Sequence, residues 1–322
     1  MPVLPAVEQR LAEQLPMSAP LYYHPGEIAV QQRAGAFEPA DLQGNGLGTQ
    51  FDDRAGRFLA QQPWAILAAR DPAGALWVLL LHGPPGFLKV EDPATLAIHA
   101  SLSAADPLGD AFKEEAGIGL LVLDPQTRRR MRLNGWGRSE PGDVLRVRVR
   151  EVYGNCPKYI QRRGLAGAAD LPAEIPTIGS RLSSAQREWI GRSDTFFIGT
   201  RHAEAGVDCS HRGGQPGFVR AVGDRRIIFP DYAGNNMFQT LGNLTLCPQA
   251  GLLFLDFESG HVLQLSGNAT VVWDAERLAA WPGAQRLVEF TVDAVQETPH
   301  ASPLRWRLLD YSPFNPQAGA PT

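Results

Sequence analysis

Hydrophobic residues in this chain come in short blocks and rarely at helical spacing. Residues 64–70 and 76–81 are almost continuously apolar and are separated by Asp71-Pro72-Ala73-Gly74, which predicts two buried strands joined by a turn. Further strands are expected at 96–99, 119–124 and 128–134, and Arg146-Val147-Arg148-Val149-Arg150 alternates as a strand with one wet and one buried face does. Downstream, the same signal recurs at 195–200, 207–212, 226–229, 251–256, 261–266 and 287–292. Helices are few. One should stop at Gln62, before Pro63, another is expected over 106–116, and Ser183 with Gln186 forms a possible capping box ahead of Trp189-Ile190. Many short strands with closely spaced turns predict an antiparallel barrel in each half of the chain.

The two halves repeat each other. Gly83-Pro84-Pro85-Gly86-Phe87-Leu88-Lys89 returns as Gly214-Gln215-Pro216-Gly217-Phe218-Val219-Arg220, a step from Phe87 to Phe218 of 131 (218 − 87). Gly119-Leu120-Leu121-Val122-Leu123-Asp124 returns as Gly251-Leu252-Leu253-Phe254-Leu255-Asp256, a step of 132 (256 − 124), and Arg132-Leu133-Asn134-Gly135 returns at that same spacing as Gln264-Leu265-Ser266-Gly267. A repeat this long indicates two related domains with a shared cleft. The expected division is a leader over 1–50, a first unit over 51–165, an Ala/Gly/Pro-rich linker over 166–182 and a second unit over 183–322. The Gly-rich Gly44-Asn45-Gly46-Leu47-Gly48 in the leader lacks the Lys-Ser/Thr of a phosphate loop.

Composition narrows the function classes. At 322 residues with a net charge of −4, the chain can hold two ordinary cores and has no broad attraction for nucleic acid or membrane. No apolar run reaches membrane-spanning length, and Met1-Pro2-Val3-Leu4-Pro5 has no signal-peptide pattern. Cys156, Cys209 and Cys247 are scattered, odd in number and without metal-type spacing, so a reducing cytoplasm is the expected location.

Candidate chemistry lies where the copies differ. Leu79-Leu80-Leu81 of the first aligns with Ser210-His211-Arg212 of the second, which runs on into Gly213-Gly214. Arginine offers a planar fork of donors, serine a hydroxyl, and glycine lets an anion approach the backbone. A solvated strand end is the alternative reading. The stretch from Pro230 to Asn243 is dense in amides suited to a phosphate or the edge of a heterocycle, or to a plain Asn/Gly turn. Tyr153-Gly154-Asn155-Cys156-Pro157-Lys158-Tyr159-Ile160-Gln161-Arg162-Arg163 combines rings with cations, as a ring-stacking phosphate neighbour or a basic surface turn does. Arg128-Arg129-Arg130 with Arg132 reads as a solvated face or an interface for phosphate. No Ser–His–Asp or paired-carboxylate arrangement follows from local spacing.

These segments, with Tyr23-His24-Pro25-Gly26-Glu27, resemble the pyridoxamine 5′-phosphate oxidase-like family of flavin-binding split barrels, and in particular its long, duplicated flavin-nucleotide-binding branch. The resemblance implies a mainly β fold with a few helices: two tandem split β-barrels related by internal duplication, with flavin mononucleotide (FMN) in a groove between barrels. It places Ser210, His211 and Arg212 on the phosphate strand and Asn235, Asn236 and Thr240 in the second phosphate segment. Gln264 falls on the strand that supplies an amide to the isoalloxazine edge, although its spacing to Gly267 departs from the oxidases. Lys158 and Tyr159 would approach across the unit interface. The basic and aromatic set that oxidases use for pyridoxamine phosphate has no counterpart, so vitamin B6 oxidation is not implied. The implied function is an FMN-dependent oxidoreductase supplied by NAD(P)H, a reductase or an iron–sulfur module. The alternatives are a non-catalytic flavin carrier or sensor, or a haem-binding split barrel using His24, His82, His99 or His211. A monomer with pseudo-dimeric halves and a homodimer are both compatible.

Overall fold

The computed structural model describes residues 23–38, 40, 46–103, 105–154 and 156–316. Asn155 and most of the expected leader lie outside them. After helices α1 (Pro25–Arg33) and α2 (Asp53–Ala60), the first unit holds β1 (Trp64–Arg70), β2 (Leu76–His82), β3 (Leu88–Asp92), β4 (Thr95–His99), β5 (Ala116–Asp124), β6 (Arg129–Glu140) and β7 (Val144–Gly154). Two connecting strands follow, β8 (Arg162–Ala168) and β9 (Thr177–Gly179). The second unit holds α3 (Ser184–Arg192), β10 (Thr195–His202), β11 (Gly206–Gly213), β12 (Arg220–Val222), β13 (Arg226–Asp231), α4 (Gln239–Leu246), β14 (Gln249–Leu255), β15 (Val262–Val272), β16 (Arg286–Thr298) and β17 (Leu304–Asp310).

The two main sheets share one topology. The first runs β2-β1-β5-β6-β7-β4-β3 and the second β11-β10-β14-β15-β16-β13-β12, with every pairing antiparallel. Register repeats as well: Ile66 faces Leu121 as Phe197 faces Leu253, and Leu121 faces Arg132 as Leu253 faces Gln264. Both copies break register at the same place, between Asn134 and Gly135 and between Ser266 and Gly267. At Gly135 and Gly267 the opposing carbonyl oxygens, of Arg148 and Thr291, would lie 2.1 and 2.0 Å from an added Cβ, so only glycine fits these bulges. The end strands of each path are not hydrogen-bonded to one another, so the units are open, split sheets and not closed barrels.

The continuous apolar runs of β1 and β2 have a simple cause: both faces are buried. Ala65, Leu67, Leu79 and Leu81 point into the core of the first unit. The alternate residues Ile66, Ala68, Val78 and Leu80 join Phe197, Val207, Cys209, Leu253 and Leu255 of the second unit in a shared core. Burying each large side chain there contributes about 1.5–3 kcal/mol. The second unit keeps its own core around Phe196, Ile198, Leu252, Phe254 and Phe290. Backbones also meet across the interface. A Cβ at Gly119 would lie 2.7 Å from backbone atoms of Asp208 and Cys209, and one at Gly251 would lie 2.7 Å from the carbonyl oxygen of Leu76.

Two expectations differ from the structure. Residues 106–116 are turns leading into β5 and not a helix. Pro107 and Gly109 interrupt the segment, and it is held by three-residue contacts such as Gly109 N to Asp106 O (3.0 Å). The stretch 166–182, expected as a linker, includes the end of β8, which pairs with β17, and β9, which pairs with β16. The Ser183–Gln186 capping box is present in both directions, at 3.2 and 2.9 Å. Replacing Gly119 by valine should lower the stability of the whole chain by about 1–3 kcal/mol, the usual cost of overpacking, read as a lower urea midpoint.

Candidate functional site

One cleft gathers residues from both units and encloses about 870 Å³, its open mouth included. β11 contributes Ser210, His211, Arg212 and Gly213 from its last residues. β13 ends on Asp231, the loop after it adds Tyr232, Asn235 and Asn236, and α4 adds Gln239 and Thr240 from its first turn. The first unit supplies Arg130 and Arg132 from β6, then Cys156, Lys158 and Tyr159 from the segment after β7.

Local geometry holds these pieces in place. Gly213 admits the carbonyl of Tyr159, which would lie 2.1 Å from a Cβ at that position. Tyr159 takes a left-handed backbone (φ 66°), and its hydroxyl donates to Ala233 O at 2.9 Å, tying the first unit to the second. Gln161 clamps the same region: its amide nitrogen donates to the carbonyls of Tyr159, Asp194 and Gly214 at 3.0–3.2 Å, and its oxygen accepts from Ser312 N at 2.8 Å. Asn236 and Phe238 are also left-handed (φ 61° and 58°), and Phe238 leaves the start of α4 without a side-chain cap. Unspent N–H groups at that helix end favour an anion.

Charge in the cleft is unbalanced. Buried Arg132 is bound to buried Asp208, and buried Arg286 to Asp231 at 3.0 Å. Among the described residues Arg130, Arg212 and Lys158 form no salt bridge. The Nε atoms of Arg130 and Arg212 are buried without any hydrogen-bond partner. Burial, with Arg132 and Arg212 close by, pulls the Arg130 guanidinium down to about 9. Burial also lowers Arg212, against the opposing pull of Asp231. Burial lowers Arg132 too, but the Asp208 carboxylate more than compensates and leaves it above the ordinary arginine value.

His211 is buried and its pKa falls well below the usual range, through burial and then the nearby Arg130, Arg212 and Arg163. The Arg130 guanidinium lies 3.5 Å from Nδ1, and arginine can only donate, so the ring proton resides on Nε2, which has no partner. Behind it runs a polar chain. Thr240 Oγ1 donates to Ser210 Oγ (3.1 Å), Ser210 Oγ to Asp208 Oδ2 (3.3 Å), and Tyr153 OH to Gln239 Oε1 (2.9 Å). Orphaned donors, uncompensated cations and an uncapped helix start together suit a phosphate monoester.

Ser210, His211, Arg212, Asn235, Asn236, Thr240, Lys158 and Tyr159 line one cleft. The amide of Asn235 is spent locally, its Oδ1 accepting from Met237 N at 3.3 Å. Gln264 is elsewhere: its amide donates to Val78 O (2.9 Å) in the floor of a different cavity. The cleft joins β11 of the second unit to β6 of the first, so Arg132, and not its repeat partner Gln264, faces Ser210. Arg130 and Arg132 belong to the basic run read from sequence as a solvated face or an interface for phosphate; the Arg132–Gln264 correspondence is the signal that assigns them to this cleft. The four histidines do not gather. His24 stacks on His202 with ring centroids 4.2 Å apart, His82 borders the cavity of Gln264, and His99 is exposed at the end of β4.

Beside the cleft, and sharing Gln239 with it, lies a second hollow around His24, Glu27, Asn134, Glu151 and His202. Burial holds Glu27 well above the usual carboxylate range, although His24 N donates to it at 2.8 Å. Burial and then His202 bring His24 down to about 3.

An open antiparallel sheet with an anion-receptive cleft at its junction with a second such sheet defines the class. Residues 182–308 match the family model described as pyridoxamine 5′-phosphate oxidase. No curated protein matches the chain. Solved structures similar to it include HupZ from Group A Streptococcus (12% identity, 35% of this chain and 90% of that one, TM-score 0.30). An FMN-binding protein from Syntrophomonas wolfei (16%, 34% and 82%, 0.26) and the FAD-binding protein from Mycobacterium smegmatis (15%, 38% and 98%, 0.27) are others. Among the described residues no helix is long and apolar enough to cross a membrane.

Arg132→Ala should cost about 3–5 kcal/mol of stability, because it strands Asp208 in the interior, whereas Arg130→Ala should cost almost nothing since no carboxylate depends on it. Urea denaturation of the two variants separates the roles. Glu27 titrates in the opposite sense to a salt-bridged acid. Its neutral form is favoured in the fold, so its contribution is complete below the ordinary glutamate range and is lost as pH rises through the folded value. Glu27→Gln should therefore gain stability relative to the parent from pH 5 to pH 8, measured as the difference in urea midpoints.

Proposed function

We propose that the cleft binds FMN by its phosphate and that the protein is a flavin-dependent oxidoreductase. The observation that carries the reading is the set of three unpaired cations, Arg130, Arg212 and Lys158, beside the orphaned Nε2 of His211 and the uncapped start of α4. A dianionic phosphate monoester answers all of them at once. The match of 182–308 to the pyridoxamine 5′-phosphate oxidase family model supports a flavin over other phosphate esters.

In this reading Arg212 and Arg130 grip phosphate oxygens, Lys158 closes over them, and Asn236 completes the cradle. Tyr159 and Tyr232, with ring centroids 5.2 Å apart at the mouth, offer flat apolar surface to a ring system. Ser210 and Thr240 hold the floor through their bond to Asp208. A bound flavin supplies hydride or electron chemistry, and the protein sets its position and surroundings. The buried His211, kept neutral among arginines, is a hydrogen-bond donor and not a charged contact. The electron source in this proposal is a nicotinamide nucleotide or a protein donor.

The protein as purified should show flavin bands in the near ultraviolet and blue, or retain added FMN. Arg212→Ala should weaken FMN about 10- to 100-fold, the worth of one or two charge-assisted hydrogen bonds, while leaving riboflavin affinity unchanged. Equal loss for both ligands, or no retention of either, would overturn the phosphate assignment. Stopped-flow mixing with NADH and NADPH then separates an oxidoreductase, whose flavin bleaches, from a carrier whose flavin stays oxidised.

A further inference from the structure

The repeat supplies a second cavity at the position related to the cleft by the exchange of the two units. It is bounded by β2 of the first unit and β15 of the second, as the cleft is bounded by β11 and β6. The correspondence holds residue by residue. Ser210, His211 and Arg212 become Leu79, Leu80 and Leu81, Arg130 and Arg132 become Val262 and Gln264, and Asp231 becomes Ala100. Each arginine and carboxylate in this set has been exchanged for an uncharged residue, yet the space has not been filled. The cavity encloses about 1280 Å³, its open mouth included, against about 870 Å³ for the cleft.

Its interior is built like a small-molecule site. Leu79, Leu80, Leu81 and Val262 form an apolar floor, each less than a tenth exposed. In the wall, Thr298 is 9% exposed and its hydroxyl is buried without a hydrogen-bond partner, an arrangement that costs free energy until something meets it. The side-chain amide nitrogen of Gln264 is already spent on Val78. At the mouth Ile175 is 91% exposed, a large aliphatic side chain standing in water beside an apolar hollow. The neighbouring ionisable groups offer an anion no positive charge: Asp106 and Glu174 carry carboxyl groups, and burial lowers His82 toward its neutral form.

We propose that this cavity binds a neutral, predominantly apolar small molecule that offers one hydrogen-bonding group to Thr298, and that it does not take a nucleotide. Among the described residues no arginine or lysine lines it to meet a phosphate, the vacant hydroxyl supplies orientation, and Ile175 is covered when the ligand seats. Nothing in this depends on a flavin in the first cleft.

Nile red, an uncharged planar dye with one carbonyl acceptor, tests the proposal when titrated into the full-length protein with and without saturating FMN and excited beyond flavin absorption. One dye should bind per chain with a blue-shifted emission in both cases. Ile175→Glu, on the exposed rim, and Leu80→His, which introduces the residue found at the corresponding position of the other unit, should each weaken the dye at least about tenfold. Thr298→Val should weaken it several-fold. FMN retention should be unchanged in Ile175→Glu and Thr298→Val. The proposal is overturned if no saturable binding occurs, if FMN displaces the dye, or if Ile175→Glu and Thr298→Val both bind it as the parent does. Because Ile175 carries no packing role, that variant decides the matter even if Leu80→His does not fold.

Discussion

Everything in this molecule depends on the apolar contact between the two sheets. β2-β1-β5 of the first unit lies against β11-β10-β14 of the second, with Ile66, Val78 and Leu121 on one side and Phe197, Cys209 and Leu253 on the other. Gly119 and Gly251 sit in equivalent strands and let the opposing backbones come within reach of van der Waals contact. That approach brings the end of β11 beside β6. Without it, Arg130 and Arg132 would belong to one surface and Ser210 to Arg212 to another, and there would be no cleft. The contact is also why β1 and β2 read as unbroken apolar runs, since strands covered on both faces have no solvent-facing positions to mark with polar residues.

Within the cleft, charges with the same chemistry do different work. Arg132 with Asp208 is a neutral buried pair, fastened further by Tyr153, whose ring lies 5.1 Å from the guanidinium and whose hydroxyl reaches Gln239. It fixes two strands from different units and leaves no net charge to offer. Arg130 and Arg212 are buried without a salt bridge among the described residues, and Arg212 helps to lower Arg130. A fold that keeps such groups close together spends stability on them, and sites that bind charged ligands are where that arrangement recurs. An anion in the cleft would offset the burial and the neighbouring cations and raise both pKa values.

How much of this could be read from sequence depended on which physical signal each part carries. Strands with continuous or alternating apolar residues were legible, as was the helix opened by Ser183. The segment after Asp106 was misread because its apolar residues fall at helical spacing, while Pro107 and Gly109 favour successive turns. The convergence of Ser210, His211 and Arg212 with Asn236, Thr240, Lys158 and Tyr159 was legible through the divergence of the repeats and the family resemblance. Gln264 was misplaced because the resemblance carries over a strand position without saying which unit's copy of that strand faces the cleft. The cleft instead forms where the two sheets pack, so the side chains beside β11 come from β6 of the other unit. Arg130 was hidden for the same reason: a basic run carries no mark of whether it faces water or a neighbour.

The repeat also explains why a symmetrical scaffold carries asymmetric chemistry. A charged cleft of the kind formed by Arg130, Arg212 and Lys158 is unfavourable unless a ligand completes it, and two such clefts would double that burden on one shared core. Replacing Ser-His-Arg by three leucines removes it on one side, and Leu80 adds its own apolar surface to the interface cluster that holds the units together. The leucine side thus strengthens the contact on which the arginine side depends. The polar cleft tolerates its unpaired cations because Val78, Leu80 and their neighbours anchor the opposite flank, and a change that made both flanks polar would weaken the interface that creates either site.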